Sequence, residues 1–226
     1  METVRITEIY ASVQGESTHV GKPCVFVRLT GCNLRCHWCD SAFTFTGGAH
    51  RPVEEVALEA HQFGITTVEV TGGEPLVQRA AIPLLRRLVE LGHEVLLETS
   101  GSRSIAEVPD PVHVILDLKP PDSGEERANR LDNLPLLRRK DEVKFVIASR
   151  RDYEWSRQIV RDHRLDQRCG AVLFSPAHHA PSAAPAVGWG PVRPAELVDW
   201  IVEDRLPVRF QLQMHKAVWP PEMRGV

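Results

Sequence analysis

Short β-branched, apolar runs alternate with amphipathic stretches along most of this chain, and that alternation constrains its fold more than any other feature. Strand-like runs fall at residues 24–30 (CVFVRLT), 67–71, 94–98, 113–118, 142–147, 171–174 and 208–212. Between them Val53, Val56, Ala57 and Ala60 recur at helical spacing and stop before Gly64. Ala81, Leu84, Leu85 and Leu88 do the same and stop at Gly92, a residue suited to a helix C-terminus. Trp155 with Ile159, and Leu197 with Trp200 and Ile201, mark two later helices, and Pro194 suits the first turn of the second. Strands alternating with helices imply right-handed βαβ units and a mainly parallel sheet. A complete eightfold barrel takes about 250 residues, whereas this chain has 226 and about six strand–helix units. The predicted fold is therefore α/β, an abbreviated, partly open (β/α) barrel in one domain, with a doubly wound open sheet as the competing architecture. Both place ligands at the carboxyl ends of the strands. Residues 120–130 and the Pro- and Ala-rich residues 180–190 read as surface loops.

The chain is 42% hydrophobic and 25% charged, which excludes disordered and collagen-like classes. With 27 basic against 30 acidic side chains the net charge is −3, so no footprint of a nucleic-acid binder is present. The opening residues carry Glu2, Arg5 and Glu8 in place of an apolar signal core, and no run approaches the roughly 20 apolar residues of a membrane span. The expectation is a soluble, cytoplasmic protein with neither nucleic acid nor membrane as partner. Five cysteines, an odd number in a reducing compartment, point to metal or redox work rather than disulfides.

Cys32, Cys36 and Cys39 lie directly after the first strong strand, with Cys-x3-Cys-x2-Cys spacing. Three thiolates on one loop can hold three irons of a four-iron cluster and leave the fourth iron open to a small molecule. The competing reading is a Cys3His zinc site using His37 or a distant histidine. Polar neighbours Asn33, Arg35 and Asp40 argue against simple core packing, whereas Cys24 inside one strand and Cys169 opening another read as small core hydrophobes. A second motif, Thr71-Gly72-Gly73-Glu74-Pro75, follows the next strand. Paired glycines let a backbone approach a ligand and Glu74 can accept from an ammonium group, although the same residues also make a tight strand-to-helix turn.

Together the two motifs resemble those of the radical S-adenosylmethionine superfamily, whose members share a full or partial (β/α) barrel. The resemblance implies a [4Fe–4S] cluster whose open iron is chelated by S-adenosylmethionine, and reductive release of a 5′-deoxyadenosyl radical. Further segments are similar to one family within it, the 7-carboxy-7-deazaguanine synthases of queuosine biosynthesis. These are YASVQGE (residues 10–16), FVRLTGC (26–32), CHWCDS (36–41), LETSG (97–101), DLKP (117–120) and QMHKA (213–217). The resemblance implies a lyase that converts 6-carboxy-5,6,7,8-tetrahydropterin to 7-carboxy-7-deazaguanine with loss of ammonia. It also implies catalytic use of S-adenosylmethionine, a Mg2+ requirement, a flavodoxin-like electron donor and a homodimer. The domain organisation it implies is one core domain over residues 1–226, with an N-terminal substrate-binding segment and a short C-terminal tail.

Carried over by position, the resemblance assigns substrate contacts to Val13, Gln14, Gly15, Glu16, Arg28, Thr99 and His215, with Lys216 beside the last. It assigns cofactor contacts to Gly73, Glu74, Gly101, Asp117, Leu118, Lys119, Ser175, Pro176, Ala177 and His178, and Mg2+ to Ser41. Val13 and Ser100 depart mildly from the family pattern; Asp117–Lys119 and Ser175–His178 depart from its Ser-Pro-Lys and Gln-Pro forms. No side chain is expected to act as the general acid or base, because the cofactor supplies the radical. Arg28 lies within an apolar strand, where a guanidinium must be either salt-bridged in the fold or paired with a substrate carboxylate; the resemblance favours the second. Ser41 reads otherwise as the cap of a turn, Gln14 as a solvated loop residue, and His178 and His179 as loop histidines. Two other functions compete: a glycyl-radical activase, against which Gln14, Arg28 and His215 speak, and a zinc-stabilised binding module without catalysis.

Overall fold

The computed structural model describes residues 2–178, 192–220 and 223–225. Its strands are β1 (Thr3–Val13), β2 (Pro23–Leu29), β3 (Ala49–Pro52), β4 (Thr67–Gly72), β5 (Glu94–Thr99), β6 (His113–Leu118), β7 (Glu142–Ile147), β8 (Ala171–Pro176) and β9 (Arg209–Phe210). They form one sheet in the order β3-β1-β2-β4-β5-β6-β7-β8-β9. From β2 to β9 every neighbouring pair is parallel, whereas β1 runs antiparallel to both β2 and β3. Strands β3 and β9 are free edges, so the sheet is open, as the partly open barrel requires. No helix among the described residues is long and apolar enough to cross a membrane.

The helices are α1 (Val53–Gln62), α2 (Ala81–Glu90), α3 (Arg150–Asp162), α4 (Leu165–Arg168), α5 (Pro194–Glu203) and α6 (His215–Val218). Helix α1 buries the predicted Val53, Val56, Ala57 and Ala60, and α2 buries Ala81, Leu84, Leu85 and Leu88. At the start of α3, Ser149 Oγ accepts from the amide of Asp152 at 3.2 Å, satisfying a donor that the helix itself cannot. Alternate strand residues meet these stripes: Val25, Val27 and Leu29 on β2, Val68 and Val70 on β4, Val114, Leu116 and Leu118 on β6, and Val143, Phe145 and Ile147 on β7.

Four expectations are corrected. The antiparallel strands β1 and β3 were not anticipated: a register shift between Ile6 and Glu8 breaks the alternation of β1, and β3 is four largely exposed residues. The final strand shrinks from residues 208–212 to Arg209–Phe210. Cys169 does not open β8; it follows α4 and is buried, its thiol donating to the carbonyl of Leu165 at 3.0 Å. Residues 120–130 are not a free surface loop, because Asp122 and Ser123 are buried in a short 3-10 turn and the Asp122 amide donates to Asp152 Oδ1 at 2.8 Å. The stretch 180–190 and His179 lie outside the described residues.

Candidate active site

Successive residues on a strand face opposite sides, so the side of the sheet away from the helices is built from the other half of each strand. That half is polar. It presents Phe26 and Arg28 on β2, Glu69 and Thr71 on β4, Glu98 on β5, Ile115 and Asp117 on β6, and Lys144 and Val146 on β7, all lining one cavity. The register shift in β1 turns Glu8 and Tyr10 to the same side. Without it, the parity of Val4 and Ile6 would carry both into the apolar core.

Charges in this interior are paired. Lys144 Nζ, with a side chain 3% exposed, lies 2.7 Å from Glu16, 2.5 Å from Glu98 and 3.1 Å from Asp117. Burial favours loss of its proton, but the three carboxylates outweigh burial and hold the ammonium well above its ordinary range. Burial also opposes ionisation of Glu16; Lys144, His215 and two hydrogen bonds prevail and bring its carboxyl down to about 2. Glu69 goes the other way: burial and neighbouring Glu98 push its carboxyl well above the usual range, and it accepts from Gln14 Nε2. Arg28 donates to Glu8 at 2.8 Å and to the Tyr10 hydroxyl at 2.7 Å. Salt-bridging within the fold is thus present, while the guanidinium also lines the cavity.

The chain termini complete the walls. Residues after β1 turn beneath the sheet, where the Gln14 amide donates to the carbonyl of Lys22 at 2.8 Å. Gln213 donates to Glu16 at 2.8 Å, and Lys216 lies 2.6 Å from Asp40. That ammonium holds the Asp40 carboxyl well below its ordinary range in spite of burial. Gly15 packs flat on His215; a Cβ at this position would stand 2.3 Å from His215 Nδ1. Burial lowers the His215 imidazole pKa, against the opposing charges of Glu16 and Asp40. Beyond α6, Trp219, Pro220, Met223 and Arg224 also line the cavity, with the Arg224 guanidinium 4.1 Å from the centre of the Phe43 ring.

At that mouth the loop after β2 carries Cys32, Cys36 and Cys39, all partly buried and all lining the cavity. Burial pushes the Cys36 thiol up to about 11 and raises the other two, so a bound metal must displace protons from them. The loop is held by the glycine pair after β4: a Cβ on Gly73 would come 2.2 Å from the carbonyl oxygen of Gly31 and 2.9 Å from Cys32 Cβ. His37 packs away from the cavity on the turn at residues 121–124, Nδ1 lying 2.9 Å from the carbonyl of Asp122. This leaves the Cys3His zinc reading without its nearest histidine.

Of the residues singled out in the sequence, the cavity brings together Val13, Gln14, Gly15, Glu16, Arg28, Cys32, Cys36, Cys39, Ser41, Gly73, Thr99, Asp117, Lys119, His178 and His215. Ser41 Oγ donates to Asp40 at 3.0 Å, and Lys119 lies 3.0 Å from Asp117. Six others stand behind this wall. The Glu74 carboxylate is fully buried and accepts from the Leu76 amide, the Thr99 hydroxyl and both amide and hydroxyl of Ser100, at 2.5–3.0 Å. Its acceptor capacity therefore serves the junction of β4 and β5. Gly101 sits against Leu116, 2.6 Å from where its Cβ would be, and Leu118 belongs to the helix-side core. Ser175, Pro176 and Ala177 are buried at the end of β8, Ala177 against Val146 and Trp38. Glu8, Tyr10, Glu69, Thr71, Glu98 and Lys144 were missed, although a charge inside an apolar strand, the feature that singled out Arg28, marks three of them.

The chain is similar to known proteins over its whole length. The radical SAM superfamily model matches residues 26–148. The 7-carboxy-7-deazaguanine synthase of Koribacter versatilis (strain Ellin345) is 47% identical over 226 residues, covering 99% of this chain and 100% of that protein. The enzyme of the same name from Chlorobaculum tepidum is 38% identical, covering 99% and 97%. In fold, the crystal structure of QueE from Escherichia coli superposes with a TM-score of 0.72 over 94% of this chain and 95% of that one, at 21% identity.

Proposed function

The chain belongs to the 7-carboxy-7-deazaguanine synthases, a family of the radical SAM superfamily, and on that premise we propose that it converts 6-carboxy-5,6,7,8-tetrahydropterin to 7-carboxy-7-deazaguanine with release of ammonia. The observation that carries the reading is a single cavity in which three cluster-type cysteines stand at the mouth and a paired, hydrogen-bonding interior lies below them. Its cofactors are a [4Fe–4S] cluster, S-adenosylmethionine and Mg2+. Together, cluster and S-adenosylmethionine supply a carbon radical able to take a hydrogen atom from the substrate.

The donors present fit these groups. Cys32, Cys36 and Cys39 would hold three irons of the cluster, leaving its fourth iron without a cysteine ligand. Gly73, Asp117, Lys119 and His178, lining the wall beside them, contact S-adenosylmethionine. Glu74 acts from behind by fixing Thr99 and Ser100, and Gly101, Leu118, Ser175, Pro176 and Ala177 back the same wall. The hydroxyl of Ser41 is a hard oxygen ligand for Mg2+, which takes its other ligands from water and the substrate carboxylate. Val13, Gln14, Gly15, Glu16, Arg28, Thr99 and His215 bind the pterin. Ionised Glu16 accepts from ring N–H groups, the Gln14 amide both donates and accepts, and the His215 imidazole supplies a further ring nitrogen. The tail beyond α6 excludes water and stray hydrogen donors. No side chain is assigned as general acid or base. The enzyme works as a cytoplasmic homodimer, one domain per chain, fed by a flavodoxin-like electron donor.

Replacing Cys32, Cys36 or Cys39 singly by Ala tests the assignment in anaerobically reconstituted protein. Loss of iron, acid-labile sulfide and 5′-deoxyadenosine formation together supports it. One zinc per wild-type chain that is lost in the cysteine variants, with neither iron nor sulfide, would replace it with the zinc-stabilised module.

A further inference from the structure

At the pole opposite the cysteines, the N-terminal ends of the parallel strands gather a second set of ligand-type side chains. His113 opens β6 and Glu142 opens β7, and the loop between β1 and β2 brings His19 against both. One nitrogen of each imidazole and one oxygen of Glu142 lie within 4.8 Å of one another. His113 Nε2 is 2.9 Å from Glu142 Oε1. The two rings meet edge to face, with centroids 4.8 Å apart.

The state of His19 is the informative detail. Its side chain is 9% exposed and its Nε2 is 3.1 Å from Glu94 Oε1, yet its Nδ1 is buried with no hydrogen-bond partner. A neutral imidazole has one N–H and one lone pair. Donation from Nε2 to Glu94 leaves a buried lone pair on Nδ1. An imidazole backed by a carboxylate on one nitrogen and bare on the other is the form in which histidine binds metals.

We infer that His19, His113 and Glu142 form a second metal site, for a divalent transition ion with the preferences of zinc. Two imidazole nitrogens and one carboxylate are a zinc donor set, with water as the fourth ligand; Mg2+ and Ca2+ favour all-oxygen sites. Glu142 also accepts from the Thr18 amide at 3.1 Å and from the Thr18 hydroxyl. The ion thereby fastens residues 18–19 to the underside of the sheet. Those residues continue the segment whose Gln14 and Glu16 enter the cavity from below, so the site is structural and supports the cavity floor.

The test uses anaerobically reconstituted holoenzyme, equilibrated with zinc chloride, desalted and measured for metals. We expect one zinc per chain beyond the cluster iron, with an X-ray absorption shell of nitrogen and oxygen only at about 2.0–2.1 Å. In His113→Gln, which keeps a donor facing Glu142, zinc is lost, iron is unchanged, and the zinc-dependent rise in melting temperature disappears. His19→Asn provides the second variant if the first folds poorly. Failure to retain zinc, a sulfur-containing shell, or equal retention by both variants would overturn the assignment and leave a hydrogen-bonded strut.

Discussion

Lys144 organises the cavity floor. Among the described residues it is the one cation that pairs with all three of Glu16, Glu98 and Asp117, and removing one partner of a buried ion cluster leaves others undercompensated. Lys144→Met is therefore expected to destabilise the protein by about 3–5 kcal/mol in equilibrium denaturation; a loss below about 1 kcal/mol would show that water already screens the cluster. Glu16 has a folded pKa of about 2, below its ordinary value of 4.5. Its ionisation thus contributes stability that is present above pH 4.5 and is lost as pH falls toward 2. Glu16→Gln should flatten the acid limb of the stability profile in that window; an acid limb identical to wild type would contradict the pairing with Lys144. For Ser41→Ala the expectation is an activation curve shifted to higher Mg2+ with unchanged iron content, and unaltered turnover at limiting Mg2+ contradicts the assignment. Arg28 was legible because a guanidinium in CVFVRLT needs a partner. The same logic reaches Glu69, Glu98 and Lys144, but their partners lie on other strands, and pairing across the sheet is not written in local sequence.

Among the elements, β6 and β7 match their predicted bounds, because their β-branched cores are bounded by turn residues. The hairpin strand β1 escaped because its polar interior half and its register shift both blur the period of two. Local sequence also does not show that the Gly72–Glu74 turn is a joint between three strand ends. Gly73 allows β4 to abut the cysteine loop, while Glu74 bonds across to Thr99 and Ser100 on the β5 side. Gly73→Ala should push that loop off its seat. Its expected signature is lower iron and sulfide content per chain with an unchanged far-ultraviolet circular dichroism spectrum; full cluster loading would contradict the role given to the close approach.

The whole molecule divides by side and by pole. Helices α1 to α5 and apolar half-strands form the core on one side of the sheet, and the other half-strands, with α6, line the cavity on the other. Cysteines cap the chamber at the carboxyl ends of the strands, and the loop after β1 closes it from below. This geometry separates the residues proposed to hold the radical-generating groups from those proposed to grip the pterin and lets both face the same space. The most direct test is an anaerobic assay of the reconstituted protein with a reductant, S-adenosylmethionine, Mg2+ and 6-carboxytetrahydropterin, analysed by mass spectrometry. The account predicts 7-carboxy-7-deazaguanine in excess of any net loss of S-adenosylmethionine. Formation of 5′-deoxyadenosine without that product, from protein with an intact cluster, would contradict the substrate assigned to this cavity.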